Sequence, residues 1–161
     1  MKNLKILSNK LAAPSNTAVA LFLLLAGIGF VDATYLTMKH FLGTPVACSL
    51  LHGCEKVTTS EYSVIFGIIP LALLGLIYYV TILITTGLYL QTRNRLLFHF
   101  ACTLTIFGFL TSVYLVYLQI AVIGALCIYC MGSALSSTLL FITAATSLKK
   151  ESAPNNDQPA F

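Results

Sequence analysis

The chain has 161 residues, of which 58% are hydrophobic and 9% charged, with a formal net charge of +4 and a mean hydropathy of +0.90. Soluble domains carry roughly 25% charged residues, and a soluble fold of this length has too small a core to hide so much apolar surface. The composition therefore excludes an ordinary soluble protein and favours an integral membrane protein. Because no basic stripe with interleaved aromatics is present, we expect no nucleic-acid partner.

The first apolar run, at about 18–38, predicts a transmembrane helix because it meets the ~20-residue length needed to span a bilayer. A cleaved signal peptide is the alternative, since 31–33 weakly resembles a cleavage site. The apolar pattern continues beyond that point, which favours a retained helix.

A polar loop at 39–63 follows and contains the cysteine pair Cys48 and Cys54. The second apolar run predicts a helix over 64–90, interrupted by Pro70. This run is longer than a bilayer requires, so we expect it to be tilted, to be kinked at Pro70, or to begin in the membrane interface.

The stretch from 96 to 148 contains no charged residue unless His99 is protonated. A single helix of about 53 residues would be ~80 Å long, against a hydrocarbon thickness of ~30 Å. We therefore predict two helices, over 96–118 and 125–147, joined by a turn between Gln119 and Ala125. The polar residues 149–161 are predicted to form a disordered tail outside the 1–148 transmembrane domain.

Basic residues assign the topology, because they concentrate on the cytoplasmic side of membrane proteins. If both termini are cytoplasmic, seven basic residues lie inside and two outside: Lys2, Lys5, Lys10, Arg93, Arg95, Lys149 and Lys150 against Lys39 and Lys56. The predicted fold is thus an all-α bundle of four transmembrane helices with a cysteine-bearing outer loop between the first two. Both cysteine pairs, including Cys127 and Cys130, then fall on the outer face.

The second pair has CxxC spacing at the predicted start of the fourth helix, where free backbone N–H groups stabilise a thiolate. A ring this small stabilises a fold little, so redox chemistry is favoured over a structural disulfide or two small apolar residues. The pair Cys48–Cys54 lies in an accessible loop, which suits thiol exchange, although a structural clasp is the alternative. An exposed pair and an embedded pair together suit electron transfer from a soluble thiol to a lipid-soluble acceptor.

Metal transport is a second hypothesis, since His52 lies between the loop cysteines and thiolates bind soft metals. The transmembrane segments carry few further ligands apart from Asp32, so a heavy-metal transporter is disfavoured and no metal site is predicted.

The segments CSLLHGCEKVTTSEYSVIFGIIPLALLG and LCIYCMGSALS resemble the signature regions of the vitamin K epoxide reductase family, and the resemblance covers nearly the whole hydrophobic chain. The matching residues, in order and spacing, are Cys48, Cys54, Ser60, Cys127 and Cys130. The resemblance implies a four-helix bundle around a quinone near the outer face of a bacterial or archaeal plasma membrane. Animal members have Tyr where this chain has Ala134, so ubiquinone or menaquinone is expected in preference to vitamin K epoxide. The DsbB type, another quinone-linked four-helix family, has the two cysteine pairs in the reverse order.

The resemblance also implies roles for the cysteines. Cys130 is expected to be the thiolate that reacts with quinone, and Cys127 to be attacked by Cys48, leaving Cys54 to exchange with a partner. Many prokaryotic members carry a fused thioredoxin-like domain, whereas this chain ends soon after the fourth helix. A separate DsbA-like thioredoxin-fold protein is therefore the expected electron donor, and the chain resembles a stand-alone member.

Two further residues are candidates for binding the quinone. Ser60 is expected to hydrogen-bond a quinone oxygen or a thiolate, or alternatively to lie at a helix start, where Thr58 and Glu61 have capping-box spacing. Asp32 is the one acidic residue inside an apolar run, which makes it a candidate proton donor to the reduced quinone. Interfacial water near Lys39 is the other environment in which Asp32 would be tolerated.

Overall fold

A computed structural model describes residues 14–46, 53–65 and 69–152, and it confirms the all-α architecture. Within these residues, four helices are long and apolar enough to cross a membrane. They are α1 (Asn16–Phe41), α3 (Leu71–Thr92), α4 (Arg95–Tyr117) and α5 (Ile128–Ser152). Shorter elements lie between them: α2 (Cys54–Thr58), a 3-10 turn (Glu61–Ser63), β1 (Val64–Ile65), β2 (Ile69–Pro70) and a π-helical turn (Leu118–Ile123).

The four long helices form a closed ring, because α1 and α4 each pack against both α3 and α5. Each helix contributes a large side chain to the centre of this ring: Phe22, Tyr79, Phe98 and Leu140, none more than 1% exposed. The rings of Phe22 and Phe98 lie 4.9 Å apart, a distance at which aromatic pairs attract. Other large apolar side chains project outward, among them Leu24, Phe107 and Leu135, each more than 60% exposed. This inside-out exposure suits a helix bundle whose solvent is hydrocarbon.

Several polar groups within the bundle are satisfied locally, as an apolar solvent favours. Threonine hydroxyls donate to the carbonyl one turn earlier, for example Thr37 to Ala33 and Thr81 to Ile77, both at 2.7 Å. At the start of α1, Ser15 accepts from the Ala18 N–H. Within the described residues, the buried hydroxyls of Tyr78 and Thr86 are exceptions without a partner.

The prediction that a helix begins at residue 64 is wrong. The helix begins only at Leu71, because Pro70 has extended backbone angles and no N–H to continue a helix. The preceding residues instead form an antiparallel pair, in which Val64 faces Pro70 and Ile65 faces Ile69. Proline is tolerated in such a short edge pairing. The break that Pro70 imposes is therefore a helix start, and α3 runs from there to Thr92.

The last two helices also differ from their predicted bounds. The π-helical turn continues α4 to Ile123, so the reversal falls at 124–127, slightly later than predicted, with Gly124 in the left-handed region at φ 62°. The predicted disordered tail is wrong at its start, since α5 continues through 149–152. The rest of that tail, 153–161, lies outside the described residues.

Two buried clusters lie along the bundle axis. One includes Phe98 and Cys102 near the α3–α4 turn. The other, at the opposite end, joins Leu36 of α1 to Cys54, Val57 and Cys127. The segment containing α2 is therefore folded onto the end of the bundle at which α5 begins, and this is where the candidate site lies.

We predict that Gly29→Ala destabilises the bundle, because a Cβ at Gly29 would overlap the buried ring of Tyr79. Overpacking of this kind costs about 1–3 kcal/mol. The matched control is Gly27→Ala on the same helix, since nothing lies within 4 Å of that position. Thermal unfolding in detergent should show a lower midpoint for Gly29→Ala alone. Equal midpoints in the two variants would contradict the close approach of α1 and α3.

Candidate active site

Three of the four cysteines predicted to act are described, and all three lie at the same end of the bundle. Cys54 opens α2, Cys127 immediately precedes α5, and Cys130 lies in the first turn of α5. Cys54 is disulfide-bonded, whereas Cys127 and Cys130 are not. The fourth, Cys48, lies outside the described residues. The fold brings Cys54 and the CxxC pair to the same end of the bundle although they are far apart in sequence.

A close backbone contact holds the two cysteine-bearing segments together. A Cβ at Gly53 would lie 2.6 Å from the Leu126 carbonyl oxygen and 2.9 Å from its nitrogen. Only glycine permits this approach, and each of these residues directly precedes a cysteine. Cys54 and Cys127 are both 0% exposed and belong to one buried cluster. The contact therefore brings Cys54 and the CxxC pair into one packed unit.

Gln119 anchors the turn that presents the CxxC motif, although the sequence predicted it only as a turn residue. Its side-chain Oε1 accepts from the Cys127 N–H at 2.9 Å, and its main-chain carbonyl accepts from Gly124 and, at 3.1 Å, from Ala125. The side chain is 3% exposed. The sequence did carry a signal for this role, because Gln119 is a lone amide inside a long apolar run. A buried polar side chain normally makes a hydrogen bond.

Cys127 lies in an environment that stabilises a thiolate. The hydrogen bond from the Cys130 thiol is the largest influence on it, and the backbone N–H groups of Cys130 and Tyr129 add to it. Burial opposes these bonds, but the net effect lowers the pKa of Cys127 to about 6. The amides at the start of α5 thus do what the sequence predicted for CxxC spacing. In this geometry, however, the negative charge lies on Cys127 and the proton on Cys130.

A cavity of about 590 Å³ opens beside the CxxC motif. Its wall includes Cys130, Asp32, Ser60 and Gln119, together with apolar residues from α1, α3 and the end of α4. Cys130 therefore faces the cavity, while Cys127 is packed into the buried cluster behind it. The two cysteines therefore have different neighbours: Cys130 faces the cavity, and Cys127 packs against α2.

Asp32, the candidate proton donor, lies on the cavity wall, and within the described chain its Oδ2 is buried with no hydrogen-bond partner. The carboxyl is also close enough to Cys127 for the two charges to interact. Burial of a carboxyl oxygen without a hydrogen-bond partner costs folding free energy, so a functional role is the expected reason for its presence. Lys39 lines the same cavity, so the alternative of an interfacial position near Lys39 stays open.

Ser60 also lines the cavity, but its hydroxyl donates to the Val57 carbonyl at 2.7 Å. Ser60 lies directly before the 3-10 turn, but its side chain makes no capping hydrogen bond to that turn. The Thr58 hydroxyl donates to the main-chain carbonyl of Cys54 at 2.9 Å. The capping-box alternative is therefore wrong, because Thr58 ends α2 instead of starting a helix. The bond from Ser60 fixes the end of α2 beside the cavity.

Aromatic contacts fix the middle of the CxxC motif. The ring of Tyr129 lies 4.9 Å from that of Tyr35 on α1, and the Lys39 ammonium lies 5.8 Å from the Tyr35 ring. These contacts tie the start of α5 to α1.

No group of three or more His, Cys, Asp or Glu residues is placed to hold a metal ion within 14–46, 53–65 and 69–152. His52, on which the metal hypothesis partly depends, lies outside these ranges. The described part of the site thus offers thiols, a carboxyl and an amide around a mainly apolar cavity.

The sequence model described as the vitamin K epoxide reductase family matches residues 20–145, which is well over half of the chain. The match runs from α1 to the last part of α5 and includes every cysteine discussed above.

We predict that the thiolate of the reduced CxxC pair titrates with an apparent pKa of about 6. Thiolate should be present above this pH and be lost as pH falls below it. Cys130→Ala removes the largest stabilising bond, so the pKa of Cys127 should rise towards the ordinary thiol value of about 8.5. The measurement is the ultraviolet thiolate absorbance of reduced protein, taken as a difference against Cys127→Ser. A midpoint that is the same with and without the Cys130 thiol would contradict this geometry.

Proposed function

The chain belongs to the vitamin K epoxide reductase family, and from this premise we propose that it oxidises the dithiol of a separate thioredoxin-fold protein and passes the electrons to a membrane quinone. Family membership supports the coarser statement that it is an oxidoreductase acting on thiols. The observation that carries the finer proposal is the arrangement of Cys54, Cys127 and Cys130 in series. Cys54 and Cys127 share a buried cluster, and Cys130 lies on the wall of the adjacent cavity.

The cavity fits a quinone ring. Its volume of about 590 Å³ lies within the ~300–1,000 Å³ range of small-molecule sites. Apolar side chains supply most of its wall, while the unpartnered Asp32 oxygen offers a polar group that a ligand can satisfy. A bound quinone would accept two electrons and two protons and leave as quinol. We propose ubiquinone or menaquinone, held by Cys130 and Asp32, as the acceptor. Ser60 is a weaker candidate, because its proton is already donated to Val57.

The thiol exchange is proposed to begin at Cys48. A thiolate of the partner attacks the Cys48–Cys54 disulfide, and the second partner thiol resolves the mixed disulfide, so the partner is oxidised and the loop pair reduced. Cys54 then attacks Cys127 and releases Cys130. Attack of Cys48 on Cys54 frees Cys127 and restores the loop disulfide.

This order reverses the roles that the resemblance implied for the two loop cysteines. A Cys54 that is 0% exposed and clustered with Cys127 is poorly placed to meet a soluble partner. The same burial suits attack on Cys127.

The last step returns the CxxC pair to its disulfide. Cys130 is the sulfur that faces the cavity, although the charge lies on Cys127 in the reduced pair. The hydrogen bond between the two thiols allows the proton to move to Cys127 and the charge to Cys130. Formation of the Cys127–Cys130 disulfide gives up two electrons. Asp32 is proposed to supply one of the two accompanying protons, since it lies on the cavity wall and has an unpaired oxygen.

The proposed location is a bacterial or archaeal plasma membrane, with both termini cytoplasmic and the cysteine end outside. The four apolar helices support a multi-pass membrane protein. The distribution of basic residues supports the orientation. Disulfide exchange belongs on the oxidising side of a membrane, which agrees with this orientation. The partner is then an extracytoplasmic DsbA-like thioredoxin-fold protein.

We predict that purified protein reduces a soluble quinone when given a reduced thioredoxin-fold protein, and that Cys54→Ser and Cys130→Ser each abolish the reaction. Asp32→Asn should lower the turnover rate about 100-fold, the usual contribution of a proton donor, without slowing reduction of the CxxC pair. Quinone absorbance follows turnover, and thiol labelling follows the reduction of each pair.

Cys102→Ala is the matched control, because Cys102 is buried in the cluster at the other end of the bundle. It should retain full turnover. Turnover that persists in Cys130→Ser would refute the proposal. So would an absence of turnover with any quinone combined with stoichiometric binding of a soft metal to the same cysteines, which is the result that heavy-metal transport requires.

A further inference from the structure

Gln119 is an unusual residue for its surroundings. It lies in the π-helical turn Leu118–Ile123, a rare geometry that is frequent at functional sites. Its side chain is 3% exposed, and it is the one buried amide side chain among residues 14–46, 53–65 and 69–152. Its hydrogen bond to Cys127 accounts for the oxygen of the amide but not for the –NH₂ group.

The hydrogen bond to Cys127 fixes which way the amide faces. The Cys127 backbone N–H can only donate, so the atom 2.9 Å away must be the side-chain oxygen Oε1. The –NH₂ group is therefore the other end of the amide. Rotation of the amide by half a turn would place two donors against each other, which excludes the opposite orientation.

The –NH₂ group has no hydrogen-bond acceptor within the part of the chain that the structure describes. Gln119 lines the same cavity as Cys130 and Asp32. A ligand carbonyl that reaches this –NH₂ group supplies the acceptor that no described residue provides, so a ligand of this kind gains affinity.

Three serine hydroxyls on the cavity wall are already engaged. The Ser60 hydroxyl donates to Val57, Ser133 bonds the Tyr79 hydroxyl at 3.0 Å, and Ser112 bonds Ser137 at 2.6 Å. Gln119 is by contrast a donor whose orientation is fixed and whose –NH₂ group bonds no described residue. A carbonyl oxygen is the acceptor that a quinone presents.

We propose that the Gln119 –NH₂ group donates a hydrogen bond to a quinone carbonyl and so seats the ring beside Cys130, which rests on the proposed function and names how that cavity binds its acceptor. The same side chain holds the Cys127 N–H through its oxygen. One amide therefore links the position of the quinone to the position of the CxxC motif.

The test uses Gln119→Met, which keeps the approximate size of the side chain and removes both hydrogen bonds. Infrared spectra of a bound carbonyl-labelled short-chain quinone should show one carbonyl stretch lowered by the hydrogen bond in the unsubstituted protein. In Gln119→Met this shift should disappear, and the quinone Kd should rise about tenfold. The matched control is Gln91→Met, the same substitution at an exposed glutamine of α3, which should change neither quantity.

Gln119→Glu separates quinone binding from support of the turn, and it decides the question if Gln119→Met does not fold. The introduced carboxyl can still accept from the Cys127 N–H, but it can donate to quinone only when protonated. Quinone affinity in this variant should fall as pH rises through the titration of that carboxyl, whereas the affinity of the unsubstituted protein should not follow this titration. A purely structural role gives no such pH dependence.

An unchanged carbonyl stretch and Kd in Gln119→Met would overturn the proposal, as would pH-independent quinone affinity in Gln119→Glu. Either result would leave the proposed function intact if the unsubstituted protein still binds and reduces quinone. Failure of the unsubstituted protein to bind any quinone would instead reject the proposed function, and this inference with it.

Discussion

The approach of Gly53 to the Leu126 backbone is the contact on which the site depends. Two segments more than 70 residues apart in sequence meet there, and each enters a cysteine at the next residue. A side chain on Gly53 would force the segments apart, because the atoms opposite are backbone and have little freedom to move. Burial of Cys54 and Cys127 in one cluster follows from this contact. The proposed thiol exchange in turn requires Cys54 and Cys127 to remain in this common cluster.

The two cysteines of the CxxC motif have distinct surroundings although they are separated by a single helical turn. Cys127 receives the amides at the start of α5 and the Cys130 thiol, which together stabilise its charge. Cys130 instead faces the cavity that contains Asp32 and Gln119. Charge stabilisation and access to the cavity are therefore assigned to different sulfurs, with a hydrogen bond between them. In the proposed relay, Cys127 is the leaving group for thiol exchange and Cys130 is the sulfur that faces the quinone.

Much of the fold was predictable from the sequence, because the bilayer length and the absence of charge over 96–148 allow few alternatives. The residues before Leu71 were not predictable in the same way, since an apolar run fits a strand pair as well as a helix until Pro70 is placed. Cys54, Cys127, Cys130 and Asp32 could be singled out from the sequence because they are rare residues in unusual positions, and the structure brings them to one end of the bundle. The orientation of the Gln119 amide, the bond that occupies Ser60 and the burial of Cys54 depend on packing between distant segments, which hydrophobic periodicity does not encode.

The most direct test of the relay is to trap its central covalent link. In Cys48→Ser combined with Cys130→Ser, neither resolving thiol is present, and only Cys54, Cys127 and Cys102 remain. Mild oxidation followed by peptide mass spectrometry should yield a Cys54–Cys127 disulfide within one chain, with Cys102 left out of any link. Recovery of Cys54 and Cys127 as unlinked thiols, or linked only between two chains, would contradict the account that these two residues carry electrons from the loop to the membrane pair.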